Sequence, residues 1–413
     1  MKDNTLQAVI NSIQTLSNKS VENCDADISV TDGVGAWLLE LAITRQFSKG
    51  SDGMNASHYV DQLIRSLTGI ISTWNSKPII NYSGLLGPVS LLAALAVSLS
   101  YFPELEEEPE TIQLRSALLK RSHKIIQLCS DEFPITFMRS RDYDLMFGTA
   151  GLILSTLIYR TVAGVTAFLP YCVQAADIIC SYPVTALFSA KDINERAVLQ
   201  RYSDAVGGHF AGTGMAHGIL GLANSLLLLS TELEDQNKVK LKIRLWCKEA
   251  WKLCQKSIVH TNGKLDFFPL ANVTQDNSFH DGSQRNTSWC YGLGGYIVFL
   301  HNLWKECPDD TDVVNEWERI CGEVKMLISR SSFDELCNEN LSICHGIFGF
   351  AYITWALGIC NLFRQFELRK FILLPAFDKY PISFLTGKIG ITSVLAAFEN
   401  DSAIPGAVFL GIW

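Results

Sequence analysis

Three side chains of the kind that bind soft metals sit in a repeated register of this chain. Cys290 stands two residues before Gly292 in Trp289-Cys290-Tyr291-Gly292-Leu293-Gly294-Gly295, and Cys344 stands two before Gly346 in Ile343-Cys344-His345-Gly346-Ile347-Phe348-Gly349. The frame recurs in Ala216-His217-Gly218-Ile219-Leu220-Gly221, with Ala in the Cys column and His217 in the column of Tyr291 and His345. Two thiolates and an imidazole with no fourth protein ligand have the composition of a catalytic zinc site that keeps one position open. Their softness favours zinc over magnesium or calcium and leaves iron open. His217 and Asp144, the latter shortly before Gly148, add groups able to move a proton, His having the ordinary pKa nearest neutrality. Taken singly, each has a plain structural role. A buried Cys is a small hydrophobe, a His at a helix start accepts or donates locally, and an Asp there caps a turn. Their common register sets them apart from those roles.

The elements that must position these groups are legible as a repeat. Gly84-x-x-Gly87, Gly148-x-x-Gly151 and Gly387-x-x-Gly390 also open long apolar runs, and Thr31-Asp32-Gly33-Val34-Gly35 supplies a seventh copy with Asp32 in the first glycine's place. Such a period suits a helix pair per repeat, an inner helix apolar all round followed by an amphipathic outer helix. All inner helices then point the same way and their N-termini gather at one end. Closure into an α/α toroid leaves no end repeat with an exposed apolar face. Cys290 and Cys344, in one column of consecutive copies, become neighbours with His345 beside them, and Asp144 and His217 line the same mouth. Converging helix N-termini, each carrying about half a positive charge, favour thiolates over thiols.

Composition agrees with one closed unit over residues 1–413. The 413 residues are 48% hydrophobic and only 18% charged. The apolar runs 85–102 and 346–363 approach membrane-spanning length, yet each begins at a glycine pair, and Pro88, Ser98 and Ser100 interrupt the first, so both read as buried inner helices. The polar start Met1-Lys2-Asp3-Asn4 lacks a secretory signal's basic and apolar segments, which points to the cytoplasm. Twelve cysteines without a Cys-x-x-Cys pair read as reduced thiols, and a net charge of −8 argues against a nucleic-acid partner. The acidic run 104–110 reads as a solvated loop. Residues 183–213 break the helical pattern: Pro183-Val184-Thr185-Ala186-Leu187-Phe188 is β-like, and the glycine cluster 207–214 lacks the Lys-Ser/Thr ending of a phosphate loop. They are expected to form an inserted, partly β excursion. A long polar loop, 262–285, leads into Trp289-Cys290 and marks the side where a substrate surface is expected.

Trp289-Cys290-Tyr291-Gly292, Cys344-His345-Gly346, Ala216-His217-Gly218 and Tyr143-Asp144, set among Gly-x-x-Gly repeats, resemble the LanC-type lanthipeptide cyclases over nearly the whole chain. The resemblance implies an all-α toroid of seven inner and seven outer helices, with the insertion corresponding to a β-containing excursion of that family. It implies one Zn2+ per chain on Cys290, Cys344 and His345, and a dehydrated precursor peptide with its leader as substrate. A peptide thiol would be the fourth ligand and would add to the β-carbon of dehydroalanine or dehydrobutyrine, closing a lanthionine or methyllanthionine ring. His217 and Asp144 are then the acid/base groups that protonate the enolate, and Tyr291 and Arg285 complete the catalytic set. The family's Arg stands four residues before the zinc Cys; Asn286 occupies that place here, with Arg285 one residue further back. A lanthipeptide dehydratase and a membrane exporter are implied as partners, bringing a cytoplasmic enzyme to the membrane periphery. Two other readings share parts of this chemistry. A zinc-dependent thiol-alkylating transferase of prenyltransferase type needs clustered Lys/Arg for a diphosphate, which the sequence lacks. A non-catalytic, zinc-containing peptide scaffold has no need of both His217 and Asp144.

Overall fold

A computed structural model describes residues 4–17, 29, 31, 33–47, 51–74, 84–136, 143–184, 213–261, 263–267, 287–337, 340–368, 377 and 380–412. Its helices are α1 (Asn4–Ser17), α2 (Val34–Phe47), α3 (Ser51–Trp74), α4 (Pro88–Leu99), α5 (Pro109–Thr136), α6 (Thr149–Ala163), α7 (Leu169–Ile179), α8 (Ile219–Ser230), α9 (Lys238–Cys254), α10 (Leu293–Glu306), α11 (Thr311–Arg330), α12 (Phe333–Cys337), α13 (Ile347–Ala356), α14 (Leu362–Phe366) and α15 (Lys388–Asn400). Helices α2, α4, α6, α8, α10, α13 and α15 pack each on the next, and α15 returns to α2, so these seven close an inner ring. Their residues are apolar on all sides and almost wholly buried, as an inner layer requires. The amphipathic helices α3, α5, α7, α9 and α11 pack outside them. This is an all-α toroid, as expected.

Among the described residues the outer layer is uneven. Helix α14 has five residues, and α1 joins the outer layer against α2 and α3. After α15 the chain turns inward through a 3-10 turn, Ala407–Leu410, that packs on α6. Residues 185–212, most of the expected excursion, fall outside the described residues. An antiparallel hairpin, which the sequence reading did not anticipate, pairs β1 (Ile258–Thr261) with β2 (Lys264–Phe267). Gly263, at φ +70°, supports its tight turn. The hairpin packs on α11, and Phe267 stacks on Tyr296 of α10 at 5.2 Å. Among the described residues, no helix is long and apolar enough to cross a membrane.

The repeat register is set by the turns before the inner helices. Gly87, Gly148, Gly218, Gly292, Gly346 and Gly387 are the N-cap residues, and α2 follows directly on Gly33. Two copies are therefore shifted from the sequence reading: Gly87 is a first glycine, not a second, and Gly33 replaces Asp32. The residue three places on tucks against the turn that precedes it. A Cβ at Gly151, Gly221, Gly295, Gly349 or Gly390 would overlap the carbonyl oxygen of Leu145, Met215, Trp289, Ile343 or Phe384 respectively. In the shifted copies this place holds the small residues Ala36 and Ser90. The Ala36 N–H reaches the Ser29 carbonyl at 3.3 Å, as Gly151 reaches Asp144 and Gly390 reaches Ser383, while the Ser90 hydroxyl bonds the Leu85 and Gly87 carbonyls.

Space rather than dihedral freedom explains these glycines. Gly349→Ala is expected to lose about 3 kcal/mol or more through backbone displacement. Gly164→Ala has open space and only a left-handed φ of +69° to accommodate, and should lose about 1 kcal/mol. Urea denaturation of the two variants measures the difference; equal losses would contradict this steric account.

Candidate metal and proton-transfer site

The turns before the inner helices are tied to one another by main-chain hydrogen bonds around the mouth. The N–H of Leu85 donates to the Leu145 carbonyl, Leu145 to Ala216, Ala216 to Cys290, Cys290 to Cys344, Cys344 to Leu385 and Phe384 to Thr31, over 2.7–3.3 Å. The Cys344 carbonyl accepts from both Trp289, at 2.9 Å, and Cys290, at 3.2 Å. The two cysteines are thus neighbours through their backbones before any ligand is considered.

Their side chains converge with His345. The Sγ atoms of Cys290 and Cys344 and a ring nitrogen of His345 lie within 4.8 Å of one another, with Cys344 Sγ 4.0 Å from His345 Nε2. Among the described residues this is the one such group of His, Cys, Asp or Glu able to hold a metal. Both thiols are buried and His345 is exposed, so the group sits at the surface of the mouth. Burial pushes the Cys290 thiol up, but hydrogen bonds with Cys344, His345 and Ser288, together with the charge of His345, outweigh it and lower its pKa to about 5. The hydrogen bond to Cys290 raises the His345 pKa against the opposing effect of burial. Burial without such partners does the reverse elsewhere, carrying Cys172 and Cys180 up to about 12.

Asp144 belongs to a column of turn caps. Ser29, Ser288, Ser342 and Ser383 each accept a hydrogen bond through Oγ from a backbone N–H further along the turn, those of Gly33, Tyr291, His345 and Thr386. In the third copy the cap is Asp144, whose Oδ1 accepts from the Phe147 N–H at 2.6 Å. The carboxylate has a second oxygen that a serine lacks, and Oδ2 lies 3.0 Å from His217 Nδ1. With the carboxylate as acceptor, Nδ1 carries the hydrogen and Nε2 is left to exchange a proton. Asp144 is fully buried; burial raises its pKa, opposed by its hydrogen bond with His217, that residue's charge and the N–H groups of Phe147 and Gly148.

The residues immediately before the first glycines form a ladder along the mouth. Phe147 stacks on His217 at 5.6 Å between ring centroids, and Tyr291 covers His217 at 5.8 Å. Gly214 makes room for this: a Cβ there would come within 2.9 Å of the Tyr291 ring. The structure thus brings Cys290, Cys344 and His345 into one cluster and His217, Asp144 and Tyr291 into another. Arg285 and Asn286 fall outside the described residues. Sequence reasoning missed Phe147 and the caps Ser288 and Ser342, although Phe147 shares the column of His217, Tyr291 and His345.

Asp144→Ser should keep the cap and lose only the link to His217, whose downfield Nδ1–H resonance would vanish while unfolding free energy stays within about 1 kcal/mol of the parent. Asp144→Leu strands the part-buried N–H of Phe147 and should cost about 1–3 kcal/mol. Equal destabilisation by both would contradict the division of labour between the two oxygens. In metal-free protein, alkylation of Cys290 is expected to hold steady above its pKa and to fall as pH drops through about 5, where the thiolate protonates. Because an unfolded thiol titrates near about 8.5, this thiolate's stabilising contribution is full above that pH and declines on acidification until it is lost below about 5. An alkylation midpoint near the unfolded value would contradict the electrostatics.

Comparison with known proteins extends over the whole fold. Twelve solved chains match. Nisin cyclase is one of them, at 16% sequence identity and TM-score 0.69, covering 98% of this chain and 96% of that one, which establishes the common toroid. No curated protein sequence matches the chain. Residues 25–409 match the family described as lanthionine synthetase C-like protein, and by that match over most of its length the chain belongs to this family.

Proposed function

We propose that this protein is a zinc-dependent lanthionine cyclase, adding cysteine thiols of a dehydrated precursor peptide to dehydroalanine or dehydrobutyrine. The observation that carries the reading is the juxtaposition, at one mouth, of the Cys290, Cys344 and His345 donors with the His217–Asp144 pair, in a chain of the lanthionine synthetase C-like family. The donor set fits zinc: two sulfurs and one imidazole nitrogen are soft to borderline ligands, and three protein ligands leave a fourth position for substrate. When bound, zinc supplies the acidity that makes a substrate thiol a thiolate near neutral pH.

The chain's own residues supply the rest. The depressed pKa of Cys290 keeps one donor ionised without competition from protons at neutral pH. The peptide thiol gives up its proton, which His217 takes up at Nε2, its sulfur bonds the β-carbon, and the alkene electron pair moves to the α-carbon and the adjoining carbonyl as an enolate. Inner-helix N-termini at the mouth favour that negative charge. His217, oriented by Asp144 through Nδ1 and flanked by Phe147 and Tyr291, delivers the proton to the α-carbon from Nε2. The balance is addition of S–H across C=C, with no redox partner. Arg285 remains a proposed member of the site on family pattern alone.

The electrophile requires a dehydratase acting earlier on the same precursor, and the leader gives both enzymes a common handle. Assembly with that dehydratase and with a membrane exporter is part of the proposal, as is a cytoplasmic setting. None of the ten cysteines whose side chains are described is in a disulfide, in keeping with the reducing conditions this thiol chemistry needs.

Cys344→Ala is expected to lose the metal and abolish ring closure, whereas His217→Asn should keep the metal and slow closure by about 10²–10⁴-fold. The measurement is the disappearance of alkylatable thiols from a dehydrated peptide, followed by mass spectrometry. A fully active Cys344→Ala protein would sink the mechanism, and a metal-loaded parent that never closes a ring would favour the scaffold reading.

A further inference from the structure

The segment 402–412, which follows the last inner helix, crosses the inside of the ring. At one end Gln46 of α2 donates through Nε2 to Ser402 Oγ at 3.0 Å and to the Ala403 carbonyl at 3.3 Å. The Ile404 N–H then reaches the Tyr352 hydroxyl of α13 at 3.4 Å. Gly406 lies against the Phe384 ring, where a Cβ would overlap the ring carbons, and the turn 407–410 packs on α6. At the far end the Leu410 carbonyl accepts from Trp289 Nε1 at 3.1 Å, and the Gly411 carbonyl accepts from Asn302 Nδ2 of α10 at 2.9 Å. Asn302 Nδ2 also bonds Asn224 Oδ1 of α8 at 2.8 Å. Gly411 adopts φ +76° beside that asparagine, and a Cβ would overlap the Asn224 amide nitrogen.

One short segment therefore touches α2, α6, α8, α10 and α13, five of the seven inner helices. Helices on opposite sides of a closed ring can share a segment only if it crosses the interior or spans one end, and its partners Asn224, Asn302 and Tyr352 lie within their helices, away from both ends, which places it inside. Ile404, Ala407, Phe409 and Leu410 are buried there, and polar anchors satisfy the carbonyls that would otherwise face an apolar lumen. Trp289 is the link to the site. Its backbone N–H is bound to the Cys344 carbonyl at the mouth while its fully buried indole reaches down to Leu410, and its chain neighbour is Cys290.

We infer that segment 402–412 is a plug forming a closed floor beneath the mouth, and that Trp289 is a positioning residue that clamps the Cys290 turn to that floor. The mouth is then a one-ended pit: a peptide enters and leaves by the same face and does not thread the ring. The inference rests on the reading of Cys290 as a metal ligand for its functional meaning, though not for the floor itself.

Two variants cut the clamp from opposite ends. Trp289→Phe keeps an aromatic ring while removing the N–H donor together with the volume of one fused ring, and Asn302→Leu releases Gly411 at a distance from the cysteines with little change of volume. The probes are cobalt(II), read by its visible spectrum and by competition with a chelator, and the alkylation rate of Cys290 in metal-free protein. Trp289→Phe is expected to alter the cobalt spectrum, to weaken retention about tenfold, the scale of one lost buried hydrogen bond, and to speed Cys290 alkylation. Asn302→Leu should move all three readouts in the same direction by less. Should both variants lose thermal stability while spectrum, retention and alkylation stay at parental values, the plug is a structural filler only and the positioning role is overturned. If Trp289→Phe does not fold, Asn302→Leu decides by the same readouts. Failure of the parent protein to bind cobalt would overturn the metal reading, while the alkylation rates would still decide the clamp.

Discussion

The Cys344 carbonyl, accepting hydrogen bonds from both Trp289 and Cys290, is one link of a main-chain series, running from Leu85 round to Thr31, on which the site depends. Along that series each turn before an inner helix donates to the next, and each is pressed against its own helix so closely that a small residue must follow three places after the cap. Side-chain positions at the mouth are therefore fixed by backbone geometry repeated around a ring, not by local loops. Residues far apart in sequence meet because they hold the same place in consecutive copies. A ring built this way needs little further machinery to bring donors together, only the substitution of Cys or His at columns that already face one another.

The electrostatics follow the same economy of means. A buried thiol in a helical protein is ordinarily harder to ionise, as Cys172 and Cys180 illustrate. Cys290 is as deeply placed, yet hydrogen bonds with Cys344, His345 and the turn-cap hydroxyl of Ser288 reverse the effect. Ser288 thus serves both backbone and chemistry. Asp144 extends the logic by exchanging a serine cap for a carboxylate, so that one oxygen keeps the turn while the other orients His217. The Asp144–His217 pair is a structural column with one extra oxygen.

Much of this was legible in the sequence because the repeat is written in glycine. The spacing of cysteines and histidines before the glycines placed Cys290, Cys344, His345, His217 and Asp144 on one mouth, and the apolar runs gave the seven inner helices. Two registers were misread where Ala36 and Ser90 stand in for glycine, since a small residue satisfies the steric demand without announcing it. The serine column escaped notice because serine is common, and its meaning appears only when the turns are superimposed. The hairpin at 258–267 carried its own signal, Asn262-Gly263 between alternating residues, which was absorbed into a polar loop. The inward path of 402–412 had no sequence signature: an apolar segment reads alike as an outer helix or as a plug, and only its partners in distant helices distinguish them.

The central claim is that Cys290, Cys344 and His345 hold a zinc ion with a position open to a peptide thiol. X-ray absorption at the zinc edge of purified protein, before and after addition of a dehydrated cysteine-containing peptide, addresses it directly. The arrangement described predicts bound zinc with two sulfur neighbours at about 2.3 Å, rising to three when the peptide is added. Protein that retains no zinc, zinc without sulfur neighbours, or a sulfur count unmoved by peptide would contradict it.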